Sequence, residues 1–306
     1  MSNSYGFDLN DYYNQEDEII QLGAKYLNFG HMGLLLGAGA SMALNLPSWT
    51  VLVMEICKLT GVPFDEKKKY SNQDLKEIID DVKEKAGETQ AYLNLVKSAL
   101  YNGVNFDFGL AKMPLLIALS ALIIGKRRGN VETIFTYNFD SVLEWYLKTL
   151  GLMARVITKK DLLLKSCDVS ITHIHGYLPQ NDALGENSDF LIFSNEEFVD
   201  RMMSANDYWK DSFMDFFRKH TFLTVGMSPG SLIDDVIPYL RQTNIWYNRE
   251  SINRQHPYGI AILTQSSFNE KQKDKLISNG IIPHYVERDS IPEFIFKIVQ
   301  AAGAAS

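Results

Sequence analysis

Four short apolar runs, each breaking off at a glycine or a small polar residue, constrain what this chain can fold into more than any other feature. They are Gly33–Leu36 before Gly37-Ala38-Gly39-Ala40-Ser41, Thr133–Tyr137 before Asn138, Val169–Ile174 before His175-Gly176, and Thr221–Val225 before Gly226-Met227-Ser228. Apolar runs this short, without polar alternation, fit strands buried on both faces. Further strands are predicted at Arg155–Thr158, Phe190–Phe193, Tyr258–Leu263 and Ile281–Val286. Helices are predicted over Ser141–Leu150, Asn195–His220, Leu232–Thr243, Asn269–Ser278 and Pro292–Ala301. Strands alternating with helices define an α/β class with a mostly parallel sheet and helices on both faces. Ligands of such sheets bind beyond the carboxyl ends of the strands, where all four runs break off.

Before the first strand, residues 1–30 are acidic and aromatic, and Glu16, Asp17 and Glu18 suit the first turn of a short helix. Between Trp49 and Lys126 the pattern is helical, with Leu75, Ile78, Ile79 and Val82 at spacings of three and four. The expected organisation is an N-terminal segment over 1–30, one large domain over 31–300 with a helical insertion at about 50–127, and a small-residue tail at 301–306. That tail reads as a loose terminus or as the edge of a longer protein.

The chain has 306 residues and a net charge of −7, so a polyanion meets repulsion and nucleic acid is excluded as a first partner. Cys57 and Cys167, the two cysteines, cannot build a disulfide framework or a four-cysteine zinc site, so no zinc is expected. The start MSNSYGFDLNDYY lacks the basic and apolar regions expected of a signal peptide, and the apolar run Met113–Ile124 falls short of the roughly 20 residues of a bilayer span. A cytoplasmic protein with reduced thiols and no membrane contact is the expectation.

At the predicted strand ends, each motif has a chemical and a structural reading. The glycines at 37 and 39 let backbone N–H groups approach a phosphate, or they only make a tight strand-to-helix turn. As a dinucleotide fingerprint the loop is incomplete, because Met42 stands where a third small residue belongs. Asn138 can orient a water or a sugar hydroxyl, or simply bend the chain, and Asp140 equally suits a helix cap. His175 can act as general base or donor. With His173 it forms half of a metal site, for which no further ligand cluster is visible. Ser228 suits a sugar or phosphate oxygen, or a cap, and Asp234 and Asp235 follow it. In the predicted helix near Phe217, the rings of Trp209, Phe213, Phe216 and Phe217 serve either the core or an interface.

Taken in order, Gly37–Ser41 with Pro47-Ser48-Trp49, Thr136-Tyr137-Asn138-Phe139-Asp140, His175-Gly176 and Gly226-Met227-Ser228 resemble the sirtuin-like superfamily, and within it the bacterial antiphage-defence branch more than the deacylases. The resemblance implies a Rossmann-like NAD-binding sheet with a helical module and no zinc. It implies Asn138 and His175 as the catalytic pair. It places Gly37, Ala38, Gly39 and Ser41 at the phosphates, Trp49, Thr136 and Asp140 about the cofactor, and Gly226 and Ser228 at the adenine-side ribose; Asp234 is a candidate there too. The implied activity is hydrolysis of NAD to nicotinamide and ADP-ribose, or a cyclic product, in defence against phage. Deacylation, ADP-ribosyl transfer and non-catalytic NAD or ADP-ribose sensing are the alternatives. A homo-oligomer, and control by a partner protein or a phage trigger, are expected of an enzyme that would otherwise drain its own cell.

Overall fold

Every residue of β1 (Met32–Leu36) and of a second strand (Thr221–Val225) is buried, as the unbroken apolar runs require. The computed structural model describes residues 9–13, 15–41, 44, 46–104, 113–125, 129–157, 166–180, 191–193, 197, 208–246 and 257–304. The remaining strands are β2 (Thr133–Thr136), β3 (Ala154–Ile157), β4 (Val169–His173), β6 (Gly259–Thr264) and β7 (Ile281–Val286), with Thr221–Val225 as β5. All pair in parallel, in the order β3-β4-β2-β1-β5-β6-β7. Leu34 of β1 lies level with Ile134 on one side and Leu223 on the other. The chain builds outward from β1 in both directions, so the sheet's topological switch point lies beside β1. This is the mostly parallel, Rossmann-like α/β arrangement that the alternating pattern predicts.

Alternation along β1 divides the core. Leu34 and Leu36 join a cluster with Leu27, Leu119 and Ile298, which come from α1 (Glu16–Asn28), α5 (Pro114–Ile123) and α10 (Ile291–Ala304). Leu35 joins Phe213, Phe216 and Phe217 of α7 (Tyr208–Lys219) on the other face. Those three rings are therefore core, each contributing about 1.5–3 kcal/mol by burial; Trp209 is half-buried. The acidic first turn of α1 is Glu16, Asp17 and Glu18, as the dipole argument requires.

Between β1 and β2, α2 (Trp49–Thr60), α3 (Asn72–Ala86) and α4 (Thr89–Leu100) pack on one another as the inserted helical module. A capping box between Ser71 and Asp74 starts α3, and Leu75, Ile79 and Val82 form its buried stripe. The fourth helix of this stretch, α5, instead packs against α10 beside the sheet. Its all-round apolar surface, which sequence periodicity groups with the insertion, is what a sheet-covering helix needs.

Some expectations change. Of the strand predicted at Phe190–Phe193, the described residues 191–193 form no strand of the sheet: Leu191 makes one isolated antiparallel bridge to Gly176, and the Ile192 N–H donates to the His175 carbonyl at 2.7 Å. Phe193 then turns its ring into the aromatic cluster beside Phe139, so the ladder stops. The first residues of the predicted tail, 301–304, extend α10. Thr158, Phe190 and residues 195–196 and 198–207 of the predicted long helix lie outside the described residues. Among the described residues no helix is long and apolar enough to cross a membrane.

Candidate functional site

Carboxyl ends of β1, β2 and β5 meet at the switch point, and the glycine loop at 37–39 is packed there against Gly226. Gly37 N–H donates to the Val225 carbonyl (3.0 Å) and Gly39 N–H to the Gly226 carbonyl (2.9 Å). A Cβ on Gly37 would stand 2.6 Å from the Gly226 carbonyl oxygen, and one on Gly39 2.7 Å from the Gly226 Cα. Gly226 has φ +80°, and a Cβ there would stand 2.7 Å from the Gly37 carbonyl oxygen and closer still to the Ala40 nitrogen. The Ala40 and Ser41 N–H groups close the turn onto Gly37 and Ala38. Four N–H groups that the sequence offers to a phosphate are thus donated within the protein, and the glycines have a packing reason of their own. Ala38 is exposed on the outer surface of this loop.

After β2 the side chains converge instead. Asn138 Nδ2–H donates to Ser41 Oγ at 3.0 Å, and the Ser41 hydroxyl donates to Asp140 Oδ1 at 3.1 Å. Asp140 also accepts from the N–H of Val142 (3.1 Å), the first residue of α6 (Val142–Thr149), although the N-cap position itself is Ser141. Thr136 Oγ1 accepts the Asn138 N–H at 3.1 Å. The direction of the chain follows from charge. An ionised Asp140 only accepts, Ser41 must then donate to it and accept from the amide, and the Asn138 amide is held with Oδ1 turned away from Ser41. Oδ1 is buried and has no hydrogen-bond partner among the described residues. Burial and the neighbouring Glu144 charge push the Asp140 pKa up to about 6, against the Val142 N–H, the Ser41 hydroxyl and His173.

Beneath Asn138 lies a pair to which the sequence reading gave no role at this site. His173, the last residue of β4, donates Nδ1–H to the Asn138 carbonyl at 2.7 Å, and its Nε2 meets Glu144 Oε1 of α6 at 2.6 Å. Both side chains are 2% exposed. Burial disfavours the imidazolium, but the charge and hydrogen bond of Glu144, the Asn138 carbonyl and the charge of Asp140 together outweigh it and hold the His173 pKa above its ordinary value. A Glu on the buried stripe of a helix four residues after Asp140 was the available signal, since a buried carboxylate needs a cationic or donor partner. A cavity of about 20 Å³ opens between Ser41, Asn138, Asp140, Glu144 and His173 and the apolar side chains of Leu116, Leu119 and Ile171. It has room for one water.

His175 does not line that cavity. Its ring stands edge-on to Tyr137 at 4.9 Å and 6.2 Å from Phe139, half-buried, with Gly176 at φ +101° after it. Trp49, at the start of α2, packs against Phe193 at 5.2 Å, and Phe193 stacks on Phe139 at 4.3 Å. Trp49 thus extends the aromatic wall beside His175. On the other side of β1, Ser228 caps the short turn Pro229–Ser231, accepting the Ser231 N–H at 3.1 Å. A π-helical turn, Leu232–Val236, follows and runs into α8 (Ile237–Trp246). It leaves Asp234 exposed, whereas the Asp235 carbonyl accepts the Tyr137 hydroxyl at 3.0 Å. Burial pushes the Asp235 carboxyl up to about 6, with Lys76 opposing and Asp234 adding to the shift. Among the described residues no group of three His, Cys, Asp or Glu is placed to hold a metal ion.

The sheet and its strand order define a Rossmann-like α/β protein with a buried amide–hydroxyl–carboxylate chain at its switch point. Residues 132–282, just under half the chain, match the family model of the SIR2-like domain. No curated protein matches. Two solved structures are similar at low identity. One is the crystal structure of a SIR2 homolog–NAD complex, at 13% identity over 96% of each chain with TM-score 0.47. The other, described as the structural basis for the mechanism and regulation of Sir2 enzymes, is 12% identical over 95% of this chain and 98% of that one, with TM-score 0.45.

Proposed function

We propose that this protein binds NAD across the carboxyl edge of β1, β2 and β5 and cleaves its nicotinamide–ribose bond, with water as acceptor. The observation that carries the reading is Asn138: its Nδ2 is fixed by Ser41 while its Oδ1 is buried with no partner among the described residues. A buried acceptor left unmatched costs about 1–3 kcal/mol, and nothing in the packing of β2 requires an amide there. The family match over residues 132–282 supports the choice of NAD.

In this reading the C1′–N bond breaks and nicotinamide leaves as the neutral base. The sugar passes through an oxocarbenium-like state, and a C1′–O bond forms to water, whose proton goes to His175 or solvent. Asn138 holds the water or a ribose hydroxyl, and His175 serves as base or as partner to a ribose hydroxyl. The aromatic wall of Tyr137, Phe139, Phe193 and Trp49 keeps bulk water from the leaving group. Ala38, Gly39, Ser228 and Asp234 rim the cofactor, with the phosphates near the exposed side of the glycine loop. Unchecked hydrolysis would empty a cell of NAD, which suits a bacterial defence against phage, held off until a partner, an assembly or a phage component releases it.

The SIR2-like match equally favours a second acceptor, an acylated lysine or another nucleophile in place of water. The deciding experiment measures nicotinamide release from NAD by chromatography, with and without an acylated peptide, beside Asn138→Ala and His175→Ala. Release without peptide, lost by about 10²–10⁴-fold in either variant, supports hydrolysis. Release only with peptide supports transfer. Calorimetric NAD binding with no release in any arm leaves a sensing module and sinks the enzymatic reading.

A further inference from the structure

Asn138 is gripped twice, once through its side chain by Ser41 and once through its main chain by His173. The main-chain grip is unusual in what it is made of. His173 and Glu144 are an ionisable pair 2% exposed, and taking such groups out of water is costly enough that an apolar pair of similar volume would serve stability as well or better. A purely structural contact at this point needs neither charge.

The pair is also aimed. With His173 Nδ1–H committed to the Asn138 carbonyl at 2.7 Å, Nε2 faces Glu144 Oε1 at 2.6 Å. An ionised Glu144 only accepts, so the ring donates from both nitrogens as the imidazolium; Glu144 fixes its tilt, and the ring fixes the peptide from which the Asn138 amide projects. Glu144 Oε2 and Asn138 Oδ1 are both buried without partners among the described residues, and both residues line the cavity that has room for one water.

We propose that Glu144 and His173 are positioning residues for Asn138, holding its backbone carbonyl through a carboxylate–imidazole pair so that the amide keeps one orientation toward the substrate. The catalytic part of this statement rests on the NAD-cleavage reading above; the positioning part does not.

Two readouts separate the two. The first is steady-state NAD cleavage by Glu144→Gln, His173→Gln and His173→Asn. The second is the side-chain amide resonance of Asn138 in asparagine-labelled protein without NAD, identified by its loss in Asn138→Ala. A misplaced group near the reacting atoms costs up to about 100-fold. Glu144→Gln and His173→Gln are expected to lower kcat about 10- to 100-fold with KM changed less than about twofold, and to move the Asn138 resonance. His173→Asn, whose amide nitrogen can stand where Nδ1 stood, is expected to recover most of the loss seen in His173→Gln. Turnover lost with the resonance unmoved, or the resonance moved with turnover intact, overturns the proposal, as does equal loss in both His173 variants. Wild-type protein that releases no nicotinamide sinks the NAD-cleavage reading alone. The resonance then decides positioning, moved in support and unmoved against. Should the single variants fail to fold, Glu144→Gln/His173→Asn is compared with Glu144→Gln/His173→Leu. The first keeps a donor for the Asn138 carbonyl and the second does not, and the same differences are expected between them.

Discussion

Loops after β1 and after β2 leave the sheet at the same edge, separated by the helical insertion in sequence but neighbours in space, and both read as ligand-binding motifs. They are built on opposite principles. After β1, Gly37 and Gly39 interlock with Gly226 of the loop after β5, and the backbone donors are consumed by backbone acceptors. Around β2, side chains of Ser41, Asn138 and Asp140 form a chain of hydrogen bonds over a water-sized cavity, with a buried ion pair beneath. Packing explains the first in full. It does not explain the second, where an unpartnered amide oxygen and a carboxylate with a pKa near 6 are kept at some cost. The lesson is that a glycine motif at a strand end testifies first to close backbone approach, whereas polar groups that folding does not need testify to chemistry.

The contrast breaks if stability and turnover fail to separate between the two loops. Gly226→Ala should cost about 2–5 kcal/mol, from the left-handed backbone and from overpacking against Gly37 and Ala40. Asn138→Ala should leave the thermal midpoint near wild type while removing turnover. Thermal unfolding of the two proteins side by side measures this, and equal midpoints would erase the distinction.

A second test turns on pH. The folded-state pKa of Asp140, about 6, lies above its ordinary value of 3.8, so the folded protein holds that proton more tightly than the unfolded chain. Stability from this group is therefore greatest below the unfolded value and declines as pH rises through about 6. At neutral pH the deficit is about 3 kcal/mol, at about 1.4 kcal/mol per pKa unit. Asp140→Asn should accordingly be the more stable protein at pH 7.5 and lose that advantage at pH 4, while cleaving NAD more slowly, because Ser41 is no longer obliged to donate away from the amide. Denaturant midpoints at the two pH values decide it; a uniform effect of pH on both proteins would contradict the burial argument.

The smallest effect sharpens the comparison at its third corner. Ser228→Ala removes an N-cap and should cost about 1 kcal/mol. If Ser228 is only a cap, the KM for NAD stays put in the folded protein. A severalfold rise in KM would place its hydroxyl on the substrate and extend the polar site across β1.

Much of the architecture is legible in particular residues. The runs at Gly33–Leu36 and Thr221–Val225 lack polar alternation because both faces of the sheet are covered, and strand burial follows local pattern directly. Leu75, Ile79 and Val82 reveal α3 for the same reason at helical period. The run ending at Phe193 misleads because Leu191 makes a single bridge and Phe193 fills an aromatic cluster instead of continuing a ladder. Helix α5 misleads because periodicity within a helix says nothing of which layer it joins. Of the candidate site, Asn138 and Asp140 are visible as polar residues at a strand end, and Ser41 as the close of a glycine loop. Glu144 left only a faint signal, an acidic residue on the apolar stripe of a short helix, and its partner His173 is set by the fold.

By itself the order of residues determined which segments become buried parallel strands and where their carboxyl ends must lie, since alternation, periodicity and glycine placement act over a few neighbouring residues. Only the tertiary structure decided which ends meet: that Gly37 and Gly39 spend themselves on Gly226, that Ser41 reaches Asn138 across 97 positions of chain, and that His173 rather than His175 grips its backbone. The physical reason is range. Strand and helix preferences are settled by local sterics and hydrophobic pattern, whereas a hydrogen bond between distant residues exists only once the whole sheet has placed its donor and acceptor about 3 Å apart in a region closed to water.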